Sequence, residues 1–268
     1  MKTKKRKKNR FLVPAVWIIG VAAVWELVAF LLDAVLKDPQ AEKKLPYLHS
    51  VIIAFGQNWQ TMLQAGGVTL SRAILGFLLG IAIGFVLAVL MSLSQIIEKI
   101  AMPYLLIMQM IPILGLAPII FSLVKDLDTS RIVIATYITF YPIAINTLSG
   151  FQSVPQDRKD LLYTYAAGKL TVYAKLMFPS ALPALFTGMK IAAPMAVTAS
   201  ILVDTLSNKD GIGAIMIYSL YGGGDKFWPA VLTGILMGIL STVAVSLLEW
   251  LCVPWKRHSA QQQGGASV

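Results

Sequence analysis

Six stretches of 21 to 25 residues, each with at most one charged side chain, dominate this chain: 11–32, 70–92, 100–124, 131–151, 181–203 and 227–250. A helix of about 20 apolar residues crosses the roughly 30 Å hydrocarbon core of a bilayer. In lipid the backbone must satisfy its own hydrogen bonds, which leaves helices and closed barrels as spanning structures. Apolar runs this long select helices. The expected fold class is therefore all-α: a polytopic membrane protein of about six transmembrane helices, with both termini on one side. Composition agrees, since 57% of the 268 residues are hydrophobic and 13% charged, where soluble domains carry about a quarter charged residues.

Charge placement orients the chain. Seven of its 23 Lys and Arg residues lie in the first ten positions, MKTKKRKKNR, and account for much of the net charge of +10. Fourteen fall on the side of the termini and the 152–180 loop, against seven in the opposite loops, so the basic side is read as cytoplasmic. A basic tail suits anionic headgroups at that face, which makes the lipid bilayer, and no nucleic acid, the partner of this charge. The run 11–32 is too long for the core of a cleaved signal peptide and no small-residue cleavage site follows; it is expected to be a retained first span. The layout is then a basic cytoplasmic tail (1–10), a transmembrane domain (11–255) and a cytoplasmic, disordered tail (256–268). The single cysteine, Cys252, rules out an intrachain disulfide framework.

Several features between and within the runs stand out. Residues 47–65 have the pattern of an amphipathic helix at the interface, and GIGAIMIYSLY (211–221) is apolar but too short to cross. Gly76, Gly80 and Gly84 place a smooth stripe on one face of the second span, a pattern that lets helices approach closely in lipid. Pro103, Pro112 and Pro118 predict bending of the third span, as a pathway-lining or simply a kinked packing helix; Pro142 and Asn146 leave the same choice in the fourth. Ionisable groups near the spans are Glu26, Arg72, Lys190, Asp204 and Glu249. Intramembrane charges are functional candidates, but these show no spacing of a proton relay or carboxylate dyad. His49 and His258 give no metal cluster, no glycine-rich phosphate loop occurs, and no catalytic residues are expected.

The segment DRKDLLYTYAAGKLTVYAKLMFPSALPALF (157–186) interrupts this apolar chain. Asp157 and Asp160 suit a helix start. Leu161, Leu162, Tyr165, Leu170, Val172, Tyr173 and Leu176 form an apolar face, notched by Ala166, Ala167 and Gly168. Such a face calls for a cover, either a partner subunit or the inner leaflet.

At this point the sequence resembles the cytoplasmic "EAA" loop of permease subunits of binding-protein-dependent ABC importers. Asp160-Leu161-Leu162 stand at the E-A-A positions, Ala166 at the motif glycine, and Met177-Phe178-Pro179 with Ser180-Ala181-Leu182-Pro183 at the "LP–ALP" ending. Asp thus replaces Glu, leucines replace alanines, and alanine replaces glycine. VWELVAF, GVTLSRAILGFLLGIAIG, DTLSNKDGIGAIMIYS and LLEWLCVPWKR resemble the nitrate/sulfonate/taurine-type branch; there Asp204 stands where relatives often carry Glu, and Gly211-Ile212-Gly213 at a G-L-G pattern. The resemblance implies a type I ABC importer permease fold that pairs with a second permease subunit, itself or a similar chain. It also implies a cytoplasmic ATPase dimer that holds the ATP and Mg, and an extracytoplasmic substrate-binding protein that delivers a small solute. By the same resemblance Asp160, Leu161, Leu162, Tyr165, Ala166, Ala167, Gly168, Lys169, Pro179 and Pro183 belong to the ATPase-coupling loop, and a charge at Ala167 is expected to abolish uptake without blocking insertion. Gln109, Thr139, Asn146, Thr198 and Asp204 are the polar positions expected along the translocation path. The rival class, an ion-gradient-driven secondary transporter, should show intramembrane charge pairs or inverted repeats, and the sequence displays neither.

Overall fold

A computed structural model describes residues 3–37, 44–207, 209–222 and 225–255. The tail 256–268 and the first two residues of the basic tail lie outside them. Every regular element among the described residues is helical. We number them α1 (Thr3–Phe30, extended by a π turn Leu31–Val35), α2 (Leu48–Gln57), α3 (Trp59–Leu93), α4 (Gln95–Met110), α5 (Ile113–Val124), α6 (Leu127–Gln152), α7 (Gln156–Thr164), α8 (Lys169–Val172), a π turn (Tyr173–Met177), α9 (Phe178–Ser207), α10 (Ile212–Gly222) and α11 (Phe227–Cys252).

Among the described residues, five helical stretches are long and apolar enough to cross a membrane. The expected third span, 100–124, is different: it is the pair α4 and α5, bent by 96°. Of its three prolines, Pro103 and Pro118 sit inside helices. The break falls at Ile111–Pro112, both extended (ψ 121° and 118°). A residue before proline is pushed out of the helical region, and proline itself offers no amide to continue the ladder. A second correction concerns 47–65. Only Leu48–Gln57 forms the short helix α2, while Trp59 onward belongs to the 35-residue α3. α1 is helical from Thr3, so it takes in residues of the basic stretch ahead of the first apolar run.

The core is a sandwich of α3, α6 and α9, with α6 in the middle. Small residues set its spacing. A Cβ added at Gly76 would stand 2.5 Å from the Ala135 Cβ and 2.8 Å from the Ile132 carbonyl oxygen; one at Gly84 would stand 2.6 Å from the Phe140 carbonyl oxygen. Gly80 faces Thr139 just as closely. On the other side of α6, Gly150 meets Ala181 and Ala184, and Gly188 meets the Pro142 carbonyl. Backbone-to-backbone packing of this kind replaces the hydrophobic drive that lipid does not supply. α1 lies at the periphery, held by Trp25 edge-on to Trp228 and by the Glu26 carboxylate, which accepts the Leu48 amide (3.0 Å) at the start of α2.

Candidate functional site

Two features of this frame carry polar chemistry, at opposite ends of the α3–α6–α9 core. The first is the segment 156–177, between α6 and α9. Its helix α7 begins after Pro155 with Asp157 in the first turn and ends at Thr164. The stop is a left-handed residue: Ala166 has φ +57°, the Ala166 amide donates to the Tyr163 carbonyl (2.9 Å) and the Ala167 amide to the Leu162 carbonyl (3.1 Å). This is the Schellman arrangement, which usually places glycine at the left-handed position. The motif glycine of the sequence comparison is thus a conformational requirement, and here alanine meets it.

Beyond this cap the chain turns into α8, the π turn and α9. The π turn precedes Pro179, and the Phe178 amide reaches back five residues to the Tyr173 carbonyl, which realigns the ladder ahead of a residue that has no amide to give. The segment has two faces. Leu162, Ala167, Val172, Tyr173, Leu176 and Met177 join a core with Ala88 and Met91 of α3, Leu105 of α4, and Leu148 and Phe151 of α6. Opposite them, Leu170 is 84%, Tyr165 77% and Leu161 57% exposed. Asp160 is exposed and accepts from the Gln156 amide (2.9 Å); Gly168 and Lys169 are also exposed, while Pro179 and Pro183 are half-buried at the start of α9. The continuous apolar face of the sequence reading is corrected here, because the turn at Ala166 divides it into an inner and an outer set. Ala167 belongs to the inner set, so a charge there would disturb the core as well as any docking.

The second feature is a buried charge network where α3, α6, α9 and α10 meet. Arg131, fully buried on the first turns of α6, donates from Nε to Asp204 (2.6 Å), from one terminal nitrogen to Asp128 (2.8 Å), and from the other to the Asp210 carboxylate (2.6 Å) and carbonyl (2.9 Å). Asp128 also takes Arg72 of α3 (2.6 Å). Asp204, fully buried, accepts the Thr69 hydroxyl (2.6 Å) and lies at the N-terminus of α10, facing the Gly213 amide (3.4 Å), where the helix dipole favours an anion. The Thr69 hydroxyl oxygen accepts the Ile212 amide (3.0 Å). Gly211 (φ +91°) makes the turn into α10, and a Cβ there would collide with the Asp204 carboxylate. A Cβ at Gly213 would stand 2.2 Å from the Ile201 carbonyl oxygen and 2.7 Å from the Asp204 Cβ, which gives Gly211-Ile212-Gly213 its physical reason.

The sequence reading treated these charges as separate, and the structure corrects it. Arg72 and Asp204 meet in one network, and Lys190 pairs with Glu249 between α9 and α11. Thr69, Asp128, Arg131 and Asp210 were missed. Arg131 was legible in part, as an arginine opening an apolar run three residues after an aspartate.

The five polar path positions do not converge. Gln109 is exposed on α4 and Thr198 on α9; Asn146 donates to the Pro142 carbonyl (2.7 Å) on its own helix. Thr139 is buried against Gly80, and Asp204 in the charge network. The second pair is occupied by contacts within the core. Among the described residues, no group of three or more His, Cys, Asp or Glu could hold a metal ion.

Comparison with known proteins completes the picture. Residues 80–255 match the family model for the binding-protein-dependent transport system inner membrane component. The formylaminopyrimidine transport permease protein ThiX of Halalkalibacterium halodurans is 31% identical over 70% of this chain and 76% of its own. A probable ABC transporter permease protein of Haemophilus influenzae is 28% identical over 94% and 97%, and the nitrate import permease protein NrtB of Synechocystis is 26% identical over 93% and 95%. In fold, the chain matches a solved structure titled as an amino acid ABC transporter with histidines at a TM-score of 0.60, over 75% of this chain and 97% of that one, at 15% identity. The chain belongs to the binding-protein-dependent transport system inner membrane component family: it is a multi-pass permease subunit of an ABC importer, whose ATP hydrolysis resides on a separate subunit and whose solute arrives with a binding protein.

Proposed function

We propose that the segment 156–177 is the surface on which the ATPase docks, and that its movement drives the transmembrane helices. The observation that carries this is the exposed triad Leu161, Tyr165 and Leu170 on a segment whose opposite face is built into the core. Apolar side chains in such a cluster require a cover, and a cleft on a partner suits a short helix better than a flat leaflet does. On this reading the termini and the segment are cytoplasmic, ATP and Mg bind the partner ATPase, and two permease chains, identical or similar, enclose the path. The solute is a small compound of the kinds named for the relatives, nitrate and formylaminopyrimidine among them, or a related sulfonate, taurine or vitamin precursor.

The test is Leu170→Glu and Tyr165→Glu in the assembled transporter. Both residues are exposed, so insertion and thermal stability should persist while the ATPase no longer co-purifies. Full association in both variants would refute the docking surface.

A further inference from the structure

α6 and α9 are joined to the segment 156–177 by the chain itself, at Gln152–Gln156 and through the π turn into Phe178. α3 has no such link, yet it is one of the three helices of the core. One hydroxyl contact closes the gap. The Tyr173 side chain, in the π turn, hydrogen-bonds through its phenol to Ser92, in the last turn of α3. It is the side-chain hydrogen bond that, among the described residues, joins α3 to this segment. The Tyr173 ring lies against Phe151 near the end of α6, with centroids 5.4 Å apart. Tyr173 thus touches the ends of α3 and α6 while its own backbone leads into α9.

Its backbone setting adds to the case. A π turn is a local departure in the helical ladder, and such turns concentrate at functional sites. This one sits between the proposed docking helix and the long α9, where a displacement must pass. The other contacts of α3 with this cluster are made by apolar side chains, Phe85, Ala88 and Met91 among them, and apolar burial is non-directional. A directional hydrogen bond sets the register.

We infer that Tyr173 is a positioning residue that ties α3 to the coupling segment through Ser92, so that α3 follows the movement of that segment. The inference rests on the reading of 156–177 as the ATPase-docking surface.

The experiment uses the full transporter with its ATPase, in a Cys252→Ser background with a single reporter, Leu63→Cys. Leu63 is exposed near the opposite end of α3. The rate of maleimide modification is compared without nucleotide and with ATP plus vanadate. The expected result is a nucleotide-driven rate change in the parent, its loss in Tyr173→Phe and in Ser92→Ala, no further loss in the double variant, and its retention in Ser92→Thr, which keeps the hydroxyl. A purely structural role would lower the amount of folded complex instead, so co-purification of the ATPase is measured on each sample. A rate change that persists in Tyr173→Phe and Ser92→Ala overturns the tie, as does a parent in which α3 shows no response to nucleotide. Failure of the parent to retain the ATPase would instead overturn the docking reading.

Discussion

Replacing Ala166 by glycine should tighten the end of α7 by about 1 kcal/mol. Ala166 has φ +57°, where the Cβ of an L-residue crowds the following carbonyl at a cost of roughly 1–2 kcal/mol. Glycine removes that cost. It also loosens the unfolded chain, which takes back about 0.4–1 kcal/mol. Ala166 is exposed, so losing its methyl sacrifices no buried contact. The balance favours glycine by about 1 kcal/mol, or roughly fivefold in the local opening equilibrium. The readout is hydrogen exchange of the Ala166 and Ala167 amides, which are bonded to the Tyr163 and Leu162 carbonyls and exchange when the cap opens. Protection should rise in Ala166→Gly and fall in Ala166→Val, whose branched side chain is worst suited to this conformation. Equal or lower protection in the glycine variant would show that the left-handed residue does not control the cap.

The charge network, the helix interface and one helix cap give the remaining predictions. Arg131→Met leaves Asp204 buried without its cation and should cost about 3–5 kcal/mol, read as a lower unfolding temperature in detergent; adding Asp204→Leu should recover much of the loss. Gly80→Ala should separate α3 from α6 at a cost of about 1–3 kcal/mol, partly restored by Thr139→Ala, because the Thr139 hydroxyl is the closest obstacle. Asp126, before the start of α6, accepts the Thr129 hydroxyl (2.5 Å) and amide (2.8 Å), which hold its carboxyl below the usual range. A depressed carboxylate contributes stability that is present above the ordinary carboxylate pKa and is lost as pH falls through the folded value. Exchange protection of the Thr129 amide should therefore weaken on acidification, and Asp126→Asn should remove that pH dependence.

The apolar runs were readable from the sequence, because they depend on length and composition along the chain. Bilayer thickness turns run length directly into spans. The stripe Gly76, Gly80, Gly84 announced a close helix contact for the same reason, since helical periodicity places every fourth residue on one face. Which helix would fill that stripe was not legible; only packing chose Ala135, Thr139 and Phe140 of α6. The third span illustrates the limit. Three prolines predicted bending, yet the break came at one of them, where Ile111 and Pro112 are extended together and the ladder could not be mended.

The polar sites divide the same way. Asp204 and Arg72 were visible as charges out of place, but their partners were not, because Arg131 and Asp204 are 73 residues apart in sequence and no local pattern encodes such a meeting. Ala166 was visible as a departure from a glycine pattern, and the fold supplied its meaning as a left-handed turn. That turn decides which side chains of the segment 156–177 face inward: Leu162 and Ala167 into the core, Leu161, Tyr165 and Leu170 out of it. By itself the sequence determined that this chain crosses a membrane, since transfer of apolar residues into lipid is a property of the residues. Only the tertiary structure decided which charges neutralise one another and which face of the segment is left uncovered, since both depend on distances between helices far apart along the chain.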